Sequence, residues 1–419
     1  MAGKMAFKNA GPGGGKPLHL VLLNQFYPPD RSPTARYLRD LAEAMASRGH
    51  TVEVYCSRAL YRAGGGDRAD SGVRVRRFWA PNGRGLSSKA LGYAAYYAQA
   101  GAALAQGPAP DLILALSSPP FLGLLARLFG KRHAHWVMDA YPQALFASGA
   151  VRRGGLASRL LSALARSQYR GAAGVITLGP DMARRLRPEL GRPALVRPLW
   201  LPSDLPPAPP EAAVRAVRRA WGAAAGRRVL LYAGNLGRGH RYGEFVDAMR
   251  AQGGGGPLWV FMGDGVGFNA LRRIRAAEPG LPLRMEGPCF GADYAARLAA
   301  ADAHLVSLQE GWQGLIVPSK LQASLASAKP VIFVGPADCE PARWIAASGA
   351  GWVVPPGDGQ GLIRALAAPK AERLSRGRRG RVWALGHFGA PASLKRMALD
   401  LEGFSSAGPS AAHGGRQRP

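Results

Sequence analysis

This chain is poor in cysteine and in acid, and it lacks long apolar runs and metal-ligand clusters. Cys56, Cys289 and Cys339 are its three cysteines in 419 residues. They lie far apart, without CxxC or Cys/His spacing, which excludes a disulfide framework and a zinc site. A reducing compartment follows. No run of about eighteen apolar residues is present, so a membrane-spanning helix is not expected. Residues 1–17 are glycine-rich and polar, without the apolar core of a signal peptide. The expected location is cytoplasmic, with peripheral attachment to the inner face of the cytoplasmic membrane as an option. No HExxH, GxSxG, GxxxxGK[ST] or clean DxD at a strand end occurs. Neither a bound metal nor a cofactor is expected.

What the chain has in excess is positive charge. It carries 55 Lys and Arg against 26 Asp and Glu, a formal net charge of +29. Such a balance favours anionic partners: nucleotide phosphates, an acidic membrane surface or nucleic acid. A compositional bias towards arginine, alanine, glycine and proline would produce part of it without any function.

Apolar runs alternate with helical patterns. Leu18–Leu23 reads as a buried strand, Leu38, Leu41, Ala42 and Met45 as a helix face, and Thr51–Tyr55 as the next strand. That is a βαβ unit. Asp111–Leu116, Ala134–Met138 and Gly174–Leu178 continue the first sheet. Arg228–Gly234, Leu258–Met262, Leu283–Glu286, His304–Ser307 and Pro330–Val334 make a second. The proline-rich stretch between them reads as a linker. The expected organisation is a flexible start (1–17), an N-terminal domain (18–199), a linker (200–210), a C-terminal domain (211–389), a returning helix (390–404) and a disordered tail (405–419). The fold class is α/β: two Rossmann-like, doubly wound domains facing across a cleft, with ligands at the carboxyl ends of the strands.

Five segments could carry chemistry. In Glu310–Gln322, Pro318 suits a first helical turn, and Ser319 and Lys320 follow where free N–H groups and the positive dipole end gather. Together they suit a diphosphate, although such a segment is often just a loop. Gly234-Asn235-Leu236-Gly237-Arg238-Gly239-His240-Arg241 follows a strand; its glycines admit a ligand to the backbone and its basic side chains add positive charge. A basic surface turn would look the same. Gly263-Asp264-Gly265 follows another strand, as a nucleotide contact or a tight turn. Asn24–Thr34, with Asp30 and Arg31, and Val137–Gln143, with Asp139 and Tyr141, lie at strand ends of the first domain. Asp139 is a candidate catalyst or a helix cap. Glu340 could accept hydrogen bonds from sugar hydroxyls, or merely complement a helix dipole.

The order of these stretches carries a resemblance. Asn24–Asp30, Ala46–Val52, Ser117–Pro120, Asp139–Pro142, Tyr232–Arg238, Gly263–Gly265, Gly314–Leu321 and Val353–Asp358 together resemble the family-4 glycosyltransferases of the GT-B fold, in particular a WbuB-like subgroup of surface-polysaccharide synthesis. The resemblance implies a retaining, metal-independent hexosyl- or N-acetylhexosaminyltransferase. Its donor would be a nucleotide sugar, a UDP-sugar, held by the C-terminal half through Gly234, Asn235, Gly237, Gly263, Asp264, Gly265, Gly314, Leu315, Pro318, Ser319 and Glu340. Arg238 and Lys320 would contact the leaving diphosphate, with Asp139 as the third catalytic residue. A saccharide or polyprenyl-linked acceptor would lie against Asp30, Arg31 and Tyr141.

Departures are visible. Trp312 and Lys320 stand where many members carry two glutamates, Ser32-Pro33 where many have a glycine pair, Met138 where many have histidine, and Gln143 where the subgroup often has glutamate. Leu91–Leu104, preceded by Arg74, Arg76, Arg77, Arg84 and Lys89, suits either an anionic bilayer or a core. Two other readings compete: a GT-B nucleotide-sugar epimerase, and a basic nucleic-acid-binding protein. The second has no recognisable binding motif, so nucleic acid is not an expected partner.

Overall fold

The computed structural model describes residues 16–30, 32–58, 72–81, 86–129, 132–201 and 209–406. Arg31, Arg84, most of the expected linker (202–208) and the tail from 407 lie outside the described residues. By contacts the chain divides into two units. The first comprises Met1–Leu178, Ala183–Pro198 and Pro391–Pro419; the second comprises Gly179–Met182 and Leu199–Ala390.

The first unit is built on β1 (His19–Leu23), α1 (Pro33–Ser47), β2 (Thr51–Ser57), β3 (Val73–Phe78), α2 (Leu86–Gln106), β4 (Leu112–Ala115), α3 (Gly123–Leu128), β5 (His133–Val137), α4 (Gln143–Ala147), α5 (Leu156–Arg170), β6 (Gly174–Thr177), α6 (Pro180–Leu190) and β7 (Leu195–Val196). Its strands are parallel, in the order β3-β2-β1-β4-β5-β6-β7. A central strand of such a sheet is buried on both faces, which is why β1 reads His-Leu-Val-Leu-Leu without alternation. Helix α1 starts where Ser32 Oγ accepts the Ala35 N–H at 3.1 Å, with Pro33 at the first helical position. Its buried face, Leu38, Leu41, Ala42 and Met45, has the expected spacing. In α2, Tyr96, Ala100 and Leu104 pack into the core with Val21, Ile113 and Leu122. One face of the stretch read as a possible bilayer contact therefore covers the sheet.

The second unit continues with α7 (Glu211–Ala220), β8 (Val229–Ala233), α8 (Gly243–Gln252), β9 (Leu258–Met262), α9 (Val266–Ala277), β10 (Leu283–Glu286), α10 (Gly291–Ala300), β11 (Ala303–Ser307), α11 (Lys320–Ala326), β12 (Val331–Val334), α12 (Glu340–Ser348), β13 (Gly351–Val354), α13 (Gly359–Ala367) and α14 (Lys370–His387). Its sheet is parallel, in the order β10-β9-β8-β11-β12-β13. Tyr232, Phe245, Trp259, Phe261 and Phe268 fill one face; Val306, Leu308, Leu321, Leu325 and Phe333 fill another cluster.

The last helix, α15 (Ala390–Ser406), packs Leu394, Met397, Ala398 and Leu401 inward. Within the first unit, Arg48 donates twice to Glu402, at 2.8 and 2.9 Å, and Arg197 twice to Asp400, at 2.7 and 2.9 Å.

Each sheet reverses its strand order once, between β1 and β4 in the first unit and between β8 and β11 in the second. Open parallel sheets bind ligands outside the carboxyl ends of strands at such switch points. The β8–β11 register pairs Ala303 with Leu230 and His304 with Leu231. Past those pairs, loop residues occupy the space between the strand ends.

Candidate functional site

In the second unit, the loops after β8, β9 and β11 meet at the switch point. They meet through backbone, and glycine makes this possible. A Cβ on Gly263, whose φ is 149°, would lie 2.1 Å from Gly234 O. One on Gly265, with φ 120°, would lie 2.3 Å from Asn235 Oδ1. The Leu236 N–H donates to Asp264 O at 2.8 Å, and the Gly267 N–H to Leu236 O at 2.9 Å. Asp264 closes its own turn, its Oδ1 accepting the Gly265 N–H at 2.8 Å. The glycines of these two loops are thus needed for loop-on-loop packing. Gly237 differs: the nearest atom to its Cβ would be Asn235 Nδ2 at 3.3 Å.

Lys320 is the centre of this arrangement. Contrary to the expectation for Pro318, helix α11 begins at Lys320, with Ser319 as its N-cap and Pro318 before the cap. The Lys320 side chain turns inward. Its Nζ donates to Tyr232 Oη at 2.5 Å and to Asn235 O at 2.9 Å. It also lies 4.0 Å from the Tyr232 ring centroid. Gly234 leaves room for it: a Cβ there would stand 3.1 Å from Lys320 Cε. Lys320 is 8% exposed and, among the described residues, pairs with no carboxylate. Burial therefore lowers its pKa well below the usual lysine value. A buried ammonium without a counter-ion is costly, and an arriving anion relieves that cost.

The neighbouring cations are differently disposed. His240 does not add positive charge. Burial, and then the nearby Lys320, push its pKa down to about 3, and its Nδ1 faces Ser307 O at 2.8 Å. Arg241 donates to Glu244 Oε1 at 2.8 Å and faces Glu310 at 3.8 Å, so its charge is shared with carboxylates. Burial raises the Glu244 carboxyl, but the Arg241 hydrogen bond and charge outweigh this and leave it lowered overall. Arg238 stands exposed on the turn in which the His240 N–H donates to Gly237 O.

The segment after β11 completes the group. Gly314, at φ 70°, and buried Leu315 and Pro318 lead into α11. The Gln309 N–H donates to Gly239 O at 2.8 Å, and Gly239 packs on Trp312 and Ile316. Glu340 opens α12 and is buried, its N–H donating to Asp181 Oδ2 at 2.9 Å. Asp181, in the same unit, pairs with Arg343 at 2.6 Å.

In the first unit, the loops after β1 and β4 also meet. The Gln25 N–H donates to Ser118 O at 2.6 Å. Asn24 Nδ2 donates to Phe26 O at 2.6 Å, and Asp30 is buried at the far end of the loop. Ser117 Oγ accepts the N–H groups of Met138, at 2.8 Å, and Asp139, at 3.3 Å, joining the loop after β5 to that after β4. Burial raises the Asp139 carboxyl to about 6. Burial, and then Asp139, raise the Tyr141 phenol.

Sequence reasoning gave no role to Tyr232 and Ser117, which appeared only within family stretches, or to Glu244 and Ser307. Among the described residues no group of three or more His, Cys, Asp or Glu side chains is placed to hold a metal ion.

Comparison with known proteins gives similarities in both sequence and fold. Residues 34–200 match the model of a glycosyl transferase 4-like domain. That match makes residues 34–200, less than half of the chain, similar to the family-4 glycosyltransferases. The chain is 29% identical over 263 residues, 61% of its length, to "Probable glycosyltransferase WbjE" of Pseudomonas aeruginosa. The match spans 65% of that relative's length, just under two thirds. In structure it is similar to sucrose-phosphate synthase from Thermosynechococcus elongatus, with TM-score 0.70, 18% identity and coverage of 93% of this chain and 99% of the other. It is likewise similar to Anabaena HepE in complex with UDP-glucose, with TM-score 0.67, 14% identity and coverage of 92% and 100%. The fold is α/β, with two Rossmann-like domains of the GT-B type. The epimerase alternative finds no support among these relatives.

Proposed function

We propose that this chain is a retaining family-4 glycosyltransferase that moves a hexosyl or N-acetylhexosaminyl group from a UDP-sugar to a saccharide or polyprenyl-linked acceptor. The observation that carries the reading is Lys320: a buried lysine without a carboxylate partner among the described residues, held at a parallel-sheet switch point by Tyr232 and Asn235. Support for the uridine nucleotide comes from HepE, whose structure holds UDP-glucose. Support for sugar transfer comes from the relative named a probable glycosyltransferase.

In the proposed reaction the bond between the sugar's anomeric carbon and the diphosphate oxygen breaks, and a bond to an acceptor hydroxyl oxygen forms on the same face. Negative charge grows on the leaving diphosphate. Lys320 and exposed Arg238 offset it, with the backbone before Ser319, in a site that needs no divalent metal. Gly234, Asn235, Gly237, Gly263–Gly265, Gly314 and Leu315 form the donor loops, and Glu340 is the proposed partner of sugar hydroxyls. On the acceptor side, Asp139 takes the proton of the acceptor hydroxyl; its raised pKa suits a base working near neutrality. Asp30 and Tyr141 line the acceptor, and Arg31, outside the described residues, is assigned to it by the family resemblance. The enzyme would work in the cytoplasm at an anionic membrane surface.

The test is thermal stabilisation by nucleoside diphosphates, because a ligand that binds only the folded state raises its apparent stability. UDP should stabilise more than ADP or GDP, and Lys320→Ala should remove the shift. Equal stabilisation of wild type and Lys320→Ala would overturn the site. Transfer should persist in excess chelator. Loss restored by magnesium or manganese would overturn the metal-independent mechanism.

A further inference from the structure

A second basic site lies in the first unit, and it takes from the segments described above only Gln143, the first residue of α4. Helices α4, α5 and α6 surround an open cavity of about 490 Å³. Arg153, Arg159, Arg166 and Arg185 line it, with Phe146 and Pro188 as apolar wall. The Arg153 guanidinium lies 5.9 Å from the Phe146 ring centroid. Four guanidinium groups face a single lining carboxylate, Glu189.

Two further observations say what the cavity takes. Gln143 and Glu189 line it and are 7% and 8% exposed. Gln143 Oε1 and Glu189 Oε2 are buried without a hydrogen-bond partner among the described residues. Buried acceptor oxygens of this kind call for donors, and hydroxyl groups supply them. The same helix α5 that lends Arg159 and Arg166 to the cavity leaves Leu156 and Leu160, one helical turn apart, at 85% and 61% exposure. Large apolar side chains that exposed, beside arginines, match the pattern of a helix lying in a membrane interface.

We propose that this cavity binds the hydroxylated headgroup of an anionic phospholipid, with Leu156 and Leu160 entering the acyl boundary. The arginines take the phosphate, since planar guanidinium groups match phosphate oxygens in pairs. Gln143 and Glu189 accept the headgroup hydroxyls. The site places the membrane contact at α5, whereas α2, the helix singled out by sequence, turns one face into the core. It deepens the membrane-surface reading above and rests on it. Lipid binding here needs no sugar transfer, so it can be tested apart from activity.

The experiment is co-sedimentation of the full chain with vesicles of phosphatidylcholine alone or mixed with phosphatidylglycerol, at low and moderate salt. Wild type should bind the mixed vesicles, release with salt and bind phosphatidylcholine poorly. Arg153→Ala combined with Arg159→Ala should weaken binding about thirtyfold, the effect of two cations near an acidic surface. Leu156→Ser combined with Leu160→Ser should weaken it at least about tenfold and leave the salt dependence in place. Arg272→Ala combined with Arg273→Ala removes the same charge from the exposed side of α9 and should leave binding within about twofold. Unchanged melting temperatures exclude misfolding of these surface variants. If wild type ignores acidic vesicles, the membrane reading and this site both fail. If wild type binds but the α5 variants bind as well, or the α9 control loses as much, the membrane reading stands and this site is wrong.

Discussion

The two units share an architecture and differ in what they put at its switch point. In the second unit the loops beyond β8, β9 and β11 are glycine-rich and enclose a cation, Lys320. In the first, the loops beyond β1, β4 and β5 carry prolines and enclose an acid, Asp139. Both groups pay for burial, and the direction differs: the lysine is pushed towards neutrality from above, the carboxyl from below. One scaffold can thus present a site waiting for an anion and a site waiting for a proton. The fold supplies the positions, and a few loop residues supply the chemistry.

Breaking the cationic half should have the largest effect. Lys320→Met should lower transfer by about 2–4 kcal/mol of transition-state stabilisation, roughly thirtyfold to a thousandfold in kcat/KM. The same variant should show the opposite sign in stability. The folded-state pKa of Lys320 lies below its unfolded value, so the unfolded chain binds the extra proton between the two. Wild-type stability therefore rises with pH through that window. Denaturant unfolding at several pH values should show Lys320→Met more stable than wild type near neutrality, with the gap closing as pH rises. A less stable variant at every pH would contradict the cost assigned to the buried charge.

The packing that makes the cationic site is tested by a pair of glycines. Gly263→Ala brings a Cβ to 2.1 Å from Gly234 O at a φ of 149° and should cost about 3 kcal/mol or more. Gly237→Ala meets nothing closer than a side-chain nitrogen at 3.3 Å and should stay within about 0.5 kcal/mol. Equal melting temperatures for the two would mean that the loops do not meet as described.

Asp139 sharpens the other half. Its folded pKa, about 6, exceeds the ordinary carboxylate value, so the folded state holds the proton more tightly. Stability is lost as pH rises from about 4 to 6, by at most about 3 kcal/mol. Asp139→Asn should be more stable than wild type at pH 8 and not at pH 4. As the proposed base, Asp139 should also give kcat/KM an acid limb near pH 6, and Asp139→Asn should abolish it. A small effect belongs to α15, away from both switch points. Glu402→Ala removes the pairs with Arg48 and His50 and should cost about 1 kcal/mol in chemical denaturation. A loss as large as that of Gly263→Ala would mean that the first unit depends on this helix more than its partly exposed ion pairs suggest.

Most of the two sheets was legible because central parallel strands are continuous apolar runs. What escaped were edges and short strands. In β3, Val73-Arg74-Val75-Arg76-Arg77-Phe78 alternates, and its arginines read as surface charge; β7 has two residues and β13 four. The site loops were legible by position, as stretches following strands. The direction of Lys320 was not. A lysine at a helix start reads as solvent-facing, and only the third dimension brings Tyr232 from β8 to meet it. For the same reason His240 read as a cation, although burial keeps it neutral. Ser117 appeared as part of a family stretch, and its link to the backbone of Asp139 depends on strand neighbours that sequence does not give.

The clasp of α15 bears on how the chain is made. The first unit begins the sequence, yet its surface is completed by residues 391–406, after the whole of the second unit. Until those residues leave the ribosome, Arg48, His50 and Arg197 lack Glu402 and Asp400, and the apolar seat of Leu394, Met397 and Leu401 stays open. The second unit, though synthesised later, is nearly continuous and can close first. Synthesis order and completion order are therefore reversed, and a nascent chain stalled within α14 would expose the seat that a finished molecule hides.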